Sequence, residues 1–344
     1  MSQQECPEEF KYLKNDKEIS ELEYISNLGK GGFGEVWKCK YKEGREVAVK
    51  LEEKKKNNNI PLDKLRGKNI IEIIKISEKV INDKYYDLII MELALLKDIK
   101  IFFKTLFDLK LLKTINNPFD EIAGNNLLRF FTKQIVNGLE TFERNGLVHF
   151  DIKPENILIT SNLQIKISDF GLLKDLSEEK EIINIPGGTK GFVPPEYYKK
   201  NISDKNLAKK QDYFALGATL FFLKFNKPLL HYKEGSTLNS TNVHVINLLQ
   251  KSIAFIKSDC LLDKDFISFL CSLIEYLPED RPDFEEIYRN KWLNENRNEI
   301  NELTNLYFEN DERKLTLELI KSDFLIEKKK KNKNIKKSRF KFVK

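Results

Sequence analysis

The sequence predicts an α+β molecule of two lobes: a small antiparallel β lobe over roughly the first 95 residues, and a larger, mainly helical lobe after it, with a cleft between. Three observations carry this. Residues 24–51 hold short runs rich in β-branched and aromatic side chains, separated by turn residues. From Asn126 the apolar period lengthens, and Leu128, Phe131, Ile135, Leu139 and Phe142 form the stripe of a core-facing helix. At 344 residues the chain exceeds one ordinary domain, and it shows no repeat of fixed period.

Taken in order, YISNL at 24–28, GEVWKCKY at 34–41 and EVAVKL at 46–51 read as strands, with a KEGR turn containing Gly44, so an antiparallel meander is expected. Residues 52–68 are polar, with an Asn run and Pro61, and predict no long regular helix. Two more strands are expected at 70–76 and 85–93. The helix from Asn126 closes at Asn145-Gly146, and further helices are expected at 211–225, 243–257, 264–276 and 283–294. Residues 295–327 read as helical, with Ile300, Leu303 and Tyr307 on one face, and fit packing on the large lobe better than regulation of the cleft.

Composition bounds the function classes. Apolar residues make up 41% of the chain, enough for a sizeable core. The net charge is +6, but residues 328–344 hold nine Lys, one Arg and no acid; the remaining 327 residues carry 49 basic against 53 acidic groups. The body is therefore slightly acidic. A nucleic-acid or anionic-membrane contact rests on the tail 328–344 alone, which fits a nuclear-import signal or a solvated end equally well. Cys6, Cys39, Cys260 and Cys271 are scattered with no metal-ligand spacing, which predicts a reduced, intracellular compartment, cytoplasmic or nuclear. The N-terminus has neither a basic start nor an apolar run, so no secretory leader is expected. The most apolar stretches, 88–96 and 214–223, fall short of the roughly 20 residues a membrane-spanning helix needs, and a soluble protein is the expectation.

Chemistry concentrates in a few segments. Gly29-Lys30-Gly31-Gly32-Phe33-Gly34, followed by Val36, lies between two strands with no helix after it. That context disfavours a dinucleotide site and fits a loop covering a nucleotide, or a plain glycine-rich hairpin. Val47-Ala48-Val49-Lys50 ends an apolar strand on a lysine, which fits either an exposed strand end or an ammonium facing an anion such as phosphate. Residues 147–159, LVHFDIKPENILI, embed Asp151, Lys153 and Asn156 between apolar anchors, and IKISDFG follows at 165–171.

These segments together resemble the signature set of the protein kinase family, over about residues 24–293. The resemblance implies a two-lobed protein kinase-like fold, with a small lobe at about 24–93 and a large lobe at about 94–293. It leaves residues 1–23 as an N-terminal extension, 294–327 as a helical extension and 328–344 as the basic tail. It also implies residue roles. Lys50 would hold the α- and β-phosphates of ATP under a lid of Gly29, Lys30, Gly31, Gly32, Phe33 and Gly34. Leu28, Val36, Ala48 and Leu158 would sandwich adenine, each also fitting ordinary core packing. Met91 would be the gatekeeper and Glu92, Leu93 and Ala94 the hinge. Asp169 and Asn156 would hold Mg²⁺. Asp151 would accept or orient the proton of a protein Ser/Thr hydroxyl, and Lys153 would stabilise the transferring phosphoryl group; a Lys there resembles the Ser/Thr kinases. Gly188-Thr189 through Pro194-Pro195-Glu196 resembles the end of an activation loop; Asp212 would tie down the catalytic loop, Arg281 would pair with Glu196, and His149 would be a buried apolar-spine residue rather than a base. His231 and His244 are assigned no role.

Two departures stand out. Phe150 occupies the position where many family members have an Arg that clasps a phosphorylated activation loop, and residues 172–193 offer only Ser177 and Thr189 as hydroxyls. Activity without activation-loop phosphorylation is therefore expected. The gap between Lys50 and Asn69 is too short for the usual helix carrying the glutamate that orients Lys50. Glu52 and Glu53 are too close to Lys50 to reach it from a helix, which leaves Asp63, Glu72, or Asp169 and phosphate alone. Two readings follow: an active Ser/Thr protein kinase using ATP and Mg²⁺, and a pseudokinase or nucleotide-binding scaffold of the same fold.

Overall fold

The computed structural model describes residues 7, 10, 20–31, 34–54, 60–108, 118–177, 183–199, 201–202, 204–230, 242–259 and 262–294. The expectations for Gly32, Phe33, Cys6, Cys260, His231 and the segment 295–344 lie outside these residues, as does the side chain of His244.

Five strands, β1 (Glu23–Gly31), β2 (Gly34–Tyr41), β3 (Arg45–Glu53), β4 (Ile73–Ile81) and β5 (Lys84–Glu92), form one antiparallel sheet in the order β1-β2-β3-β5-β4. The fourth strand begins three residues later than the expected 70–76: Ile70 and Ile71 are pulled out of the sheet to bond with Ile167 of the large lobe. The β4–β5 turn is made by Asn82 and Asp83, both at positive φ (49° and 62°), the backbone form that matches strand twist in a two-residue hairpin.

Alternation sorts the sheet into two unlike faces. Trp37, Cys39, Val47, Val49, Leu51, Leu88 and Ile90 form one apolar layer, which also takes in Phe10 and Leu22 from the segment before the sheet. Phe10 is 1% exposed and meets Trp37 edge-on, ring centroids 5.4 Å apart. The opposite face carries Val36, Ala48, Lys50, Glu52, Asp87, Ile89 and Met91, placed side by side by the register Val36↔Lys50, Ala48↔Met91, Lys50↔Ile89 and Glu52↔Asp87. This face looks into the cleft.

The large lobe holds α1 (Ile99–Asp108), α2 (Pro118–Arg144), α3 (Lys205–Phe225), α4 (Asn242–Ser258), α5 (Lys264–Leu273), α6 (Phe284–Tyr288) and α7 (Lys291–Asn294). The stripe of α2 is inside, since Leu128, Phe131, Ile135, Leu139 and Phe142 are each at most 2% exposed; each such burial contributes about 1.5–3 kcal/mol before chain entropy is set against it. After Arg144 the chain turns through Gly146 at φ 65°, a conformation that favours glycine. The single helix expected at 283–294 is two, α6 and α7, with Asp283 capping the first through a reciprocal pair of bonds with Glu286. The helix α1 was not foreseen. No helix among the described residues is long and apolar enough to cross a membrane.

Candidate active site

The segment between α2 and α3 is built for precision at a cost in backbone strain. Short strands β6 (Leu147–Val148), β7 (Ile157–Ile159) and β8 (Ile165–Ile167) are buried almost throughout and bracket the polar run 149–156. Phe150 and Asp169 adopt left-handed φ values of 63° and 67°, unusual for residues other than glycine. The strained turn at Phe150 is pinned from α3: the buried Asp212 carboxylate accepts the His149 N–H at 2.7 Å and the Phe150 N–H at 2.9 Å. Burial pushes the Asp212 carboxyl up to about 7 even though these two donors favour its charged form.

His149 is fully enclosed, its ring lying 5.6 Å from Phe142 and 5.8 Å from Phe170 between ring centroids. Its Nδ1 accepts the Asp151 N–H at 3.2 Å, and its Nε2 lies 3.1 Å from Ser168 O, so the neutral tautomer with the proton on Nε2 satisfies both. Burial holds it below the ordinary histidine range. A neutral, enclosed ring with both nitrogens committed agrees with the expectation that it is no base.

Asp151 stands at the centre of a polar cluster. Lys153 Nζ donates to Asp151 Oδ2 at 2.6 Å, the Thr189 hydroxyl donates to Oδ1 at 2.6 Å, and Lys153 also reaches Thr189 Oγ1 at 2.7 Å. Asn156 Nδ2 donates to Asp151 O at 2.8 Å and to Oδ2 at 3.0 Å. The carboxylate is thus held in one orientation, and it already accepts an aliphatic hydroxyl flanked by an ammonium.

Across the cleft, Lys50 Nζ meets Asp169 Oδ1 at 2.9 Å. The second acid on Lys50 is Glu52, with which it forms a short ion pair. Glu52, set aside above as too close to Lys50, is thus a partner beside Asp169, whereas of the other acids weighed Glu72 pairs with Arg45 at 2.9 Å and Asp63 is exposed. No described residue of 54–72 is helical. The spacing allows this pairing, because residues two apart on a strand share a face, but does not single it out. Burial alone would lower the Lys50 pKa, but Asp169 and Glu52 outweigh it and hold the ammonium above its usual range. For Asp169, burial is overcome by Lys50, which holds the carboxyl below the usual range; on Glu52 burial prevails and the carboxyl is raised.

Of the other expected nucleotide contacts, Ala48, Met91 and Val36 lie on the cleft face of the sheet, and Leu158 approaches from β7 in the other lobe. Leu28 and Gly29 sit on β1 above them, with Leu28 37% exposed. A Cβ at Gly29 would meet no protein atom, whereas one at Gly34, at φ 136°, would fall 2.0 Å from Leu51 O, so Gly34 is required by packing against β3. The Lys30 side chain points to solvent, pairing with Glu35 at 2.6 Å. The Glu92 carboxylate turns back to Lys166 at 2.7 Å and accepts the Glu72 N–H at 2.8 Å, which leaves the backbone of Glu92 and Ala94 as what the hinge offers a ligand.

The donor set suits Mg²⁺. Among the described residues no group of three or more His, Cys, Asp or Glu gathers to form an all-protein metal cage. What is present is the Asp169 carboxylate and the Asn156 amide, whose nitrogen is committed to Asp151, so that its oxygen is the atom that would face a cation. One carboxylate and one amide oxygen, supplemented by phosphate and water, is the arrangement this cation prefers.

Comparison with known proteins agrees. The family model described as "Protein kinase domain" matches residues 22–293. Rhodopsin kinase GRK1 of Rattus norvegicus is 36% identical over 206 residues, covering 56% of this chain and 33% of that protein. The interferon-induced, double-stranded RNA-activated protein kinase of Mus musculus is 29% identical over 293 residues, covering 83% of this chain and 53% of that protein. The serine/threonine-protein kinase AtPK1/AtPK6 of Arabidopsis thaliana is 26% identical over 289 residues, covering 80% and 56%. The chain thus spans about a third to somewhat over half the length of these relatives. With the matched region running from the first strand of the sheet to the last described helix and enclosing Lys50, Asp151, Asn156 and Asp169, the chain belongs to the protein kinase family.

Proposed function

We propose that the chain is an active Ser/Thr protein kinase that transfers the ATP γ-phosphoryl group to hydroxyls of protein substrates, and does so without activation-loop phosphorylation. The observation that carries this reading is the Asp151 carboxylate, fixed by Lys153 and Asn156 and already accepting the Thr189 hydroxyl. An incoming Ser or Thr hydroxyl would take the place of Thr189. Asp151 orients it and receives its proton as its oxygen bonds to the γ-phosphorus and the bond to ADP breaks, while Lys153 neutralises charge on the transferring group. Lys50 holds the α- and β-phosphates; Leu28, Val36, Ala48 and Leu158 enclose adenine, with Met91 behind it and the Glu92–Ala94 backbone at its edge. The segment from Gly29 to Gly34 covers the phosphates. Asp169 and Asn156 would hold Mg²⁺, which when bound would neutralise charge on the phosphates.

Phe150 supports independence from loop phosphorylation. In place of a clasp for phosphate it enters an apolar cluster with Val148, Leu176, Ile183, Ile202 and Ala208, so part of the activation segment is anchored by packing rather than by charge. The second reading, a nucleotide-binding scaffold, draws on the connector 54–72, where no described residue is helical. The basic tail 328–344 is where contact with nucleic acid or anionic membrane would be sought, and a cytoplasmic or nuclear location fits the reading.

The test is labelled ATP with Mg²⁺ and a generic basic protein substrate. Wild type is expected to label Ser and Thr, and Asp151→Asn and Asp169→Asn to lose about 100-fold or more. Equal labelling by all three would remove the kinase reading in favour of the scaffold. Loss of activity after phosphatase treatment, or in Ser177→Ala, would refute the independence from loop phosphorylation alone.

A further inference from the structure

We infer that Glu52 is the positioning residue for Lys50: a carboxylate two residues along the same strand supplies the orienting charge, and no described residue of the connector 54–72 is helical. The assignment rests on the kinase reading above and deepens it. Lys50 and Glu52 share the cleft face of β3, opposite Ile89 and Asp87 of β5, and their side chains are only 11% and 13% exposed. Among the described acids that follow Lys50 in the small lobe, the others are committed or exposed elsewhere. Glu53 pairs with Lys84 at 3.5 Å on the surface, Glu72 pairs with Arg45 where both are more than half exposed, and Asp63 is exposed. Asp87 stands opposite Glu52 on β5, two residues along from the Lys50–Ile89 pair, and feels the charges of Lys54 and Glu78.

The reason two carboxylates are needed follows from lysine itself. An ammonium on a flexible four-carbon stem is a point charge with three donors, and it keeps one direction only when more than one acceptor holds it. Asp169 is one acceptor, but it is also one of the residues that would hold the cation, and a bound phosphate would compete with it for Lys50. Glu52 is the partner that stays. Because β3 is hydrogen-bonded to β2 on one side and β5 on the other, this pair is part of the sheet and has no hinge on which to leave. A carboxylate carried on a mobile helix can be withdrawn to switch a site off; this one stays assembled, in keeping with activity that needs no loop phosphorylation.

The experiment uses the full chain and two ligands, ATP with Mg²⁺ and adenosine, titrated by calorimetry beside steady-state kinetics. Glu52→Ala is expected to lower kcat/KM for ATP by about 100-fold, the scale of a misplacement of roughly 1 Å. Glu52→Gln, which keeps volume and one acceptor, should lie between, and Glu52→Asp should recover part of the loss. ATP affinity falls with these changes while adenosine affinity and the melting temperature of Glu52→Gln hold, because adenosine has no phosphate for Lys50 to reach. Glu53→Gln and Glu72→Gln behave as wild type. If ATP and adenosine weaken in parallel, Glu52 serves only the fold; if neither changes, or ATP binds more tightly, it does not position Lys50. Either result overturns the assignment while an active wild type leaves the kinase reading standing. A wild type that labels no substrate overturns the reading, and the assignment with it.

Discussion

Removing Arg281 tests whether the large lobe depends on one buried ion pair. All five guanidinium N–H groups have acceptors: two on the Glu196 carboxylate at 2.5 and 2.7 Å, and the backbone oxygens of Glu275, Lys210 and Tyr276 at 2.9, 3.1 and 3.2 Å. The plane also lies 4.9 Å from the Phe214 ring centroid, and the two side chains of the pair are 0% and 6% exposed. Arg281→Met keeps the apolar stem but strands the Glu196 charge with only the Gln211 amide, 3.0 Å away, as a side-chain donor. An orphaned buried charge costs about 3–5 kcal/mol, and in a lobe of this size each kcal/mol moves the melting temperature by roughly 2–4 °C, so a fall of about 10 °C is expected. Arg281→Met combined with Glu196→Leu removes the charge as well, leaving three backbone carbonyls to seek water at about 1 kcal/mol each. The double variant should therefore be less destabilised than the two single losses summed, by about 2 kcal/mol or more. Differential scanning calorimetry of the four proteins reads this directly. Additivity within about 0.5 kcal/mol would show that the two side chains do not depend on each other, and would refute the reasoning.

Other consequences follow from particular contacts. Phe10→Ala should cost about 3–5 kcal/mol by emptying the site against Trp37 and Tyr24, with a matching drop in melting temperature; a shift under 2 °C would mean that Phe10 is not part of the small-lobe core. Gly34→Ala forces a Cβ into Leu51 O and should lower both stability and ATP affinity, while Gly29→Ala, with open space around it, should leave the melting temperature unchanged. For His149 the folded state disfavours the proton that the unfolded chain accepts near the ordinary value of 6.5, so the unfolded chain binds more protons and stability falls as pH drops through that value. The loss is at most about 1.4 kcal/mol per pH unit, and in His149→Gln the melting temperature should fall less steeply between pH 7.5 and 5.5. Identical slopes would show that His149 does not titrate in this range.

Periodicity located most of the strands and helices because each buries a regular face: the α2 stripe from Leu128 to Phe142 and the alternation of β3 needed no partner to be seen. Errors came where a long-range bond overrode local pattern. Ile70 and Ile71 have strand-like side chains, yet Ile167 draws their backbone out of the sheet. Residues 283–294 keep a helical pattern, but the chain breaks into α6 and α7 around Asn290, whose side chain accepts the Trp292 N–H. Phe10 carries no pattern by itself, since a single aromatic is informative only once Trp37 is beside it.

By itself the sequence determined which chemical groups are present and in what order: an anion-seeking lysine on an apolar strand, a carboxylate, lysine and amide on one short loop, and a second carboxylate before Phe170-Gly171. Those groups are local, and their types follow from what phosphoryl transfer needs. Only the tertiary structure decided how they pair. Asp169 lies 119 positions from Lys50 and meets it only because the two lobes close on each other. Glu52 lies two positions from Lys50, and that spacing alone did not identify it as the partner. A strand offers every acid on one face an equal claim, and the packing of the opposite lobe and the commitments of the neighbouring charges settle which of them remains buried beside the ammonium.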